Sequence, residues 1–402
     1  MGKLINLNTF KAFFRSEQIG GIILICCVII SLLIANSSLN DEFSSILAQQ
    51  LGYESSDIQL KYSVSLWIND GLMAIFFLLV GLEIKREIVE GELSSPKKAA
   101  MPIFAALGGM LVPAAVYAIF NLNAPTSHGW GIPMATDIAF ALGVISLLGK
   151  RVPASLKIFL AALAIVDDLG AILVIAIFYT NELHWMQLLY SAGILALLVG
   201  MNFMGVKKLI FYIIPGIFLW YFIHHSGIHA TIAGVLLALT IPTNETAVES
   251  PLEKLEHMLV RPVNFVIMPI FAIANTNIRF EKQMIDGLYS PLGIGIILGL
   301  LVGKPIGITL FSWLSVKFGF STLPSKSSWN HVIGLGFLAG IGFTMSIFIG
   351  LLSFSDPEYQ VEAKFSILVA SVLAGVVGYL YLSMLNSKRK KRIEKQRLAS
   401  NF

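Results

Sequence analysis

The sequence predicts an all-α integral membrane protein with about twelve transmembrane helices, and three observations carry that prediction. Of 402 residues, 56% are hydrophobic and only 13% are Asp, Glu, Lys or Arg, against roughly a quarter charged in an ordinary soluble domain. No water-exposed surface of that size can be covered by so few charges, whereas hydrocarbon needs none. Apolar runs recur at lengths that cross roughly 30 Å of bilayer core, and Lys and Arg concentrate in alternate loops. A net charge of +4 hints only weakly at nucleic acid, and no basic patch interleaved with aromatics accompanies it. Cys26 and Cys27 are neighbours in an apolar run, so they close no loop and lack the spacing of a metal site.

Taken in order, the clear spans fall at 19–35, 99–120, 154–180, 187–203, 209–223, 263–275, 291–313, 330–353 and 365–385. Runs at 66–84, 132–148 and 228–241 are interrupted by Asp, Pro or Gly and complete the twelve. The first apolar run exceeds a usual signal-peptide core and lacks a small-residue cleavage site, so it is expected to stay attached. With both termini and the even-numbered loops inside, all but five of the 28 basic residues lie on the cytoplasmic side. Lys61, Arg279, Lys282 and Lys364 fall outside, and Lys304 falls within a span. The whole of 1–402 reads as one membrane domain, with a cytoplasmic segment at 1–18, an outer loop at 36–65 and a basic tail at 386–402. That tail suits a stop-transfer anchor on anionic lipid.

Two spans contain helix-weakening interruptions, Ile132-Pro133-Met134-Ala135-Thr136-Asp137 opening the fourth and Gly340-Ile341-Gly342-Phe343-Thr344 within the eleventh. An odd number of crossings separates them, so the chain runs through them in opposite directions. That is the pattern of an inverted-topology repeat whose discontinuous helices meet near mid-membrane, as in many secondary transporters. Glycine packing between helices accounts equally well for the glycines taken alone.

Ionisable groups in mid-bilayer cost about 2.5–3.5 kcal/mol each on insertion scales, so they need partners or a function. Asp167 and Asp168 lie at mid-depth of the fifth span and are too short to snorkel. Being consecutive, they point about 100° apart on a helix, so one can face a fixed cation while the other faces a cavity. Lys304 is deep in the tenth span and precedes Pro305, which disfavours α conformation and frees nearby carbonyls. It can pair a carboxylate, neutralise the C-terminal dipole of a broken helix, or do both. Asp137 follows Thr136 at the expected break, where a helix N-terminus favours a carboxylate; it reads as an organiser of the site. Asp70, with Trp67 and Asn69, is expected in the outer interface, as are His224 and His225. Glu83, Arg86 and Glu87 close the second span as ordinary helix-end charges or as a cation-attracting entrance. His229 is a helix-packing contact or a sensor. Ser250-Pro251 with Glu253, Glu256 and His257 reads as a capped short helix, with either a solvated face or a cytoplasmic pH sensor.

The segments LWINDGLMAIFFLLVGLEIKRE, PMATDIAFALG, AIVDDLGAI, SGIHATIAGV, KLEH, GKPIGI and GIGFTMSIF, in this order, closely resemble the bacterial NhaA-type sodium/proton antiporters. The resemblance implies twelve helices with discontinuous fourth and eleventh helices crossing beside the ion site. It implies that Asp168 is the principal ion and proton carboxylate, that Asp167 pairs with Lys304 or shares the transported Na+, and that Asp137 and Lys304 compensate the broken-helix dipoles with Thr136 at the crossing. It further implies pH sensing by Glu83, Arg86, Glu87, His229, Glu256 and His257 near the cytoplasmic entrance. A homodimer joined partly through an outward β-hairpin in the first loop is also implied, in the bacterial inner membrane. One departure is Arg261, which stands where relatives often carry another histidine.

The expected activity is therefore secondary active, electrogenic and pH-regulated Na+(Li+)/H+ antiport, exporting sodium for protons with no cofactor. Sodium takes hard oxygen ligands, and carboxylates supply them only after losing their protons, so the two ions exclude each other. A proton- or sodium-coupled solute symporter is the alternative. An intramembrane aspartyl protease would need two aspartates meeting from different helices in Tyr-Asp and Gly-x-Gly-Asp settings, and neither setting occurs.

Overall fold

A computed structural model of the chain describes residues 7–55, 59–180, 182–244 and 249–399. Parts of three expected segments, residues 1–6, 56–58 and 400–402, lie outside the described residues, as do the side chains of the basic tail. The chain is helical nearly throughout and divides into two units. One comprises Ile22–Ser94 and Leu169–Glu281, the other Asn6–Gly21, Ser95–Asp168 and Lys282–Phe402.

By length and composition, seven described helices can cross a membrane, and three bent helix pairs raise this to ten. The two remaining expected spans form shorter helices, Ile210–His224 with 15 residues and Ile232–Thr240 with nine. At about 1.5 Å per residue they extend roughly 22 and 14 Å; the first matches the length of its apolar run, and the second is shorter than its run. Two other boundaries differ from the sequence reading. The expected opening of the fourth span at Ile132 is instead the end of a 3₁₀ helix, Pro125–Met134, because the polar Thr-Ser-His-Gly segment before it still coils. Lys364, expected in a loop, lies inside the helix Pro357–Ala399, since Pro357 suits a helix start and the Glu- and Ala-containing residues that follow propagate it.

In the first unit, Leu7–Ala35 ends beside Met268–Asn275, with Ser31 donating to the Ile273 carbonyl at 2.7 Å. The outer loop then folds into a helix, Asn40–Ala48, bent 109° from its predecessor. A short antiparallel hairpin follows, pairing Gln50 with Ser63 and Leu51 with Tyr62. The helix Val64–Val89 contains a π-helical turn at Trp67–Leu72. It meets the nine-residue helix so closely that a Cβ on Gly234 would collide with the Ala74 backbone. At the far end of that short helix, Lys85 Nζ donates to the carbonyls of Leu239 (2.8 Å) and Ile241 (2.6 Å), supplying positive charge to a helix C-terminus. The core here is Leu82, Leu198, Tyr212, Leu219, Ala238 and Leu252.

In the second unit, Pro96–Asn121 packs along Pro291–Lys317. Gly108 and Gly307 face each other across this seam, each lying where a Cβ would strike the other's carbonyl. A π-helical turn, Gly299–Gly303, immediately precedes Lys304. Buried bonds fix the 3₁₀ segment: Tyr117 Oη donates to the Thr126 carbonyl (2.6 Å) and Thr126 Oγ1 to Asn121 Oδ1 (2.6 Å). Two helices are interrupted. Pro125–Met134 continues as Ile138–Leu147 after a 44° bend, and Trp329–Ala339 continues as Phe343–Ser353 after a 49° bend.

Candidate ion site

The two interruptions expose backbone ends that need partners, and each end meets a group of opposite polarity. Residues 135–137 and 340–342 are the breaks, and they are tied directly, the Asp137 amide donating to the Ile341 carbonyl at 2.7 Å. Asp137 caps Ile138–Leu147, its Oδ1 accepting from the Phe140 amide at 3.0 Å. Its Oδ2 accepts from the Thr344 amide at 3.0 Å and from the Thr344 hydroxyl. One buried carboxylate therefore serves the N-termini of two half-helices, where their dipoles are positive. At the opposite polarity, Lys304 Nζ donates to the Met134 carbonyl, the end of the 3₁₀ segment. Ser346 Oγ donates to the Ile132 carbonyl at 2.7 Å.

Lys304 also pairs with Asp167, Nζ to Oδ2 at 2.9 Å, with both side chains fully buried. Thr136 lies between the broken strands of chain, its hydroxyl within bonding distance of Asp167 Oδ2 (2.7 Å) and the Ala339 carbonyl (2.9 Å). The second oxygen of Asp167, Oδ1, is buried without a hydrogen-bond partner among the described residues. Asp168 is 1% exposed and close enough to Lys304 to interact electrostatically. Helical geometry thus turns Asp167 onto the ammonium and Asp168 to another direction. The result is a buried cluster of hard oxygen donors around one fixed cation, chemically suited to an alkali-metal ion or a proton.

All five residues expected at the centre, Thr136, Asp137, Asp167, Asp168 and Lys304, lie in this unit, and direct contacts link Thr136, Asp167 and Lys304. Sequence reasoning assigned no role to Thr344 and Ser346. Their signal was the polar pair Thr-x-Ser directly after a glycine break in an otherwise apolar run.

The expected sensor residues separate into two groups in the other unit. Arg86 pairs with Glu256 (Nε to Oε2, 3.0 Å) and Glu87 (3.3 Å), with Glu83 in electrostatic reach. Ser250 forms the expected capping box with Glu253. His257 Nδ1 meets Glu249 at 2.9 Å on an exposed face. His229 is elsewhere: its Nε2 is 3.6 Å from Asp70, which also meets His224 Nδ1 at 3.3 Å. Asp70 and Arg86 are on one helix, 16 residues and roughly 24 Å apart at helical rise. His229 therefore lies apart from the other five, because the short helix it opens runs parallel to Val64–Val89, with its N-terminus beside Asp70 and its C-terminus beside Lys85.

Residues 11–382 match the family model described as Na+/H+ antiporter 1. The chain belongs to that family. A relative in Flavobacterium johnsoniae named Na(+)/H(+) antiporter NhaA 2 is 62% identical over 393 residues, 98% of this chain and 96% of the relative. Proteins named Na(+)/H(+) antiporter NhaA in Pelagibacter ubique and Bordetella parapertussis are 50% and 48% identical over 382 and 385 residues, each covering 94% of this chain and 98% and 97% of the relatives. With its apolar helices, this family member is a multi-pass membrane protein.

Proposed function

We propose that this chain is an electrogenic Na+(Li+)/H+ antiporter of the bacterial inner membrane, with Asp167 and Asp168 as the shared site for the ion and the protons. The observation that carries the reading is the buried Asp167–Lys304 pair beside Asp168, placed where two interrupted helices are tied together. The names of the relatives support the exchanged ions.

The cluster carries more carboxylate than its ammonium can neutralise, so at this burial the excess needs either protons or a metal cation. A sodium ion would draw ligands from Asp168, Asp167 Oδ1 and Thr136, and its binding requires deprotonated carboxylates. Loss of two protons for each sodium bound would move one net charge per cycle, and a potential negative inside, about 2.3 kcal/mol per charge per 100 mV, would drive sodium outward. Asp137 and Lys304 hold the opposed half-helix ends, and alternating access rocks the repeat carrying them. In this reading the chain crosses the membrane twelve times with discontinuous fourth and eleventh helices and both termini cytoplasmic. The Arg86–Glu256–Glu87 group adjusts the pH range, and the outer hairpin joins a homodimer.

The test is exchange in everted membrane vesicles. Na+ or Li+ is expected to collapse a respiration-generated pH gradient, with apparent affinity for Na+ weakening as the medium is acidified, up to about ten-fold per pH unit for each competing proton. A Na+ response independent of pH would overturn the shared site.

A further inference from the structure

The second unit carries a concentration of positive charge that the ion site does not use. From residue 95 to 166 the sequence contains one acidic residue, the buried Asp137, and from 317 to 355 it contains none. The same stretches carry Lys97, Lys98, Arg151, Lys317 and Lys326, all exposed. Contacts gather these bases at one end of the unit. Phe104, one helical stretch beyond Lys97, stacks on Phe320 with ring centres 5.6 Å apart. Ser155 Oγ donates to the Ser325 carbonyl at 2.5 Å, bringing the Arg151 turn beside Lys326. Arg151 itself donates to Ser383 Oγ at 3.4 Å.

A group of like charges drawn from acid-poor segments is self-repelling and favours external anions. Three aromatic rings at the same end indicate which anion. Trp313, Phe318 and Phe320 are 42%, 65% and 55% exposed, and Lys317 Nζ lies 4.6 Å over the Trp313 ring. Exposed rings among bases suit the boundary between headgroup and acyl chain, where rings enter the apolar layer and ammonium groups reach phosphate. Free phosphate would leave the rings in water. The helix ends of the other unit contrast with this: Arg86 and His257 there already face Glu87, Glu256 and Glu249.

We infer that this end of the second unit, through Lys97, Lys98, Arg151, Lys317 and Lys326, is a docking surface for anionic phospholipid headgroups. The surface is separate from the ion site.

The test uses purified full-length protein in neutral detergent, titrated with phosphatidylglycerol, phosphatidylcholine or inorganic phosphate. Melting temperature and lipid retained in native mass spectrometry are both read. Phosphatidylglycerol alone is expected to be retained and to raise the melting temperature. Arg151→Gln and Lys326→Gln should each weaken that binding about five-fold, the equivalent of one surface base, and the five-site Gln variant should lose most of it. Replacing the four lysines by Arg should preserve it, as should Lys254→Gln with Arg261→Gln in the other unit. Equal stabilisation by phosphatidylcholine, reproduction of the effect by phosphate, or full retention in both single variants would overturn the inference. Exchange activity is not the readout, so this result stands apart from the proposed transport.

Discussion

Two clusters in this molecule are built from the same parts, a basic side chain and several carboxylates, yet differ in what surrounds them. At the candidate ion site, Lys304 faces Asp167 with neither side chain exposed, and the Met134 carbonyl, the Thr136 hydroxyl and Asp168 lie around the pair. At the Arg86 cluster the arginine side chain is 35% exposed and Glu256 9%. In the first, both side chains are out of reach of bulk solvent, so their charges are answered by neighbouring protein groups. In the second, the arginine reaches solvent although Glu256 is buried, so the pairs are partly screened and contribute less to stability. On the proposed function, depth more than residue type separates the exchange site from the pairs that modulate it.

Substitutions can break or sharpen that contrast. The largest effect is expected from Asp168→Asn, which should reduce Na+-dependent gradient collapse to background. Glu256→Gln should leave the maximal rate within about two-fold while displacing its pH profile, consistent with a partly solvated pair. Next, Lys304→Met should destabilise the protein by about 3–5 kcal/mol by leaving Asp167 without its cation, read as thermal melting in detergent. Adding Asp167→Asn to that variant should restore much of the loss, because removing both charges is far less harmful than removing one. Thr136→Val should weaken apparent Na+ affinity by about ten-fold, the effect of a lost buried hydroxyl bond of roughly 1.4 kcal/mol. Smallest is Arg86→Gln, with a stability change within about 1 kcal/mol; a drop as large as that of Lys304→Met would erase the distinction between the clusters.

Much of the site was legible from composition because hydrocarbon makes charge rare. Two adjacent aspartates and one lysine in apolar runs have few explanations, and glycine and proline mark where helices cannot continue. What the sequence did not disclose depends on which helix lies beside which. Nothing in the spacing of Thr344 says that its hydroxyl meets Asp137, 207 residues away. Nothing near His229 announces Asp70 as its neighbour, and likeness of motif grouped it with Glu256. The helix Ile232–Thr240 stops well short of its apolar run, 228–241, because hydropathy registers apolarity and is indifferent to where a helix begins.

The stitching of the two breaks has a mechanical corollary. The Asp137 amide grips Ile341, its carboxylate grips Thr344, Thr136 grips Ala339, and Ser346 grips Ile132, so none of the four half-helices can slide alone without tearing buried bonds. Whatever displacement carries the cargo from one face to the other, those four pieces must travel as a single carriage, and flexing has to be sought in the couplings at its margins.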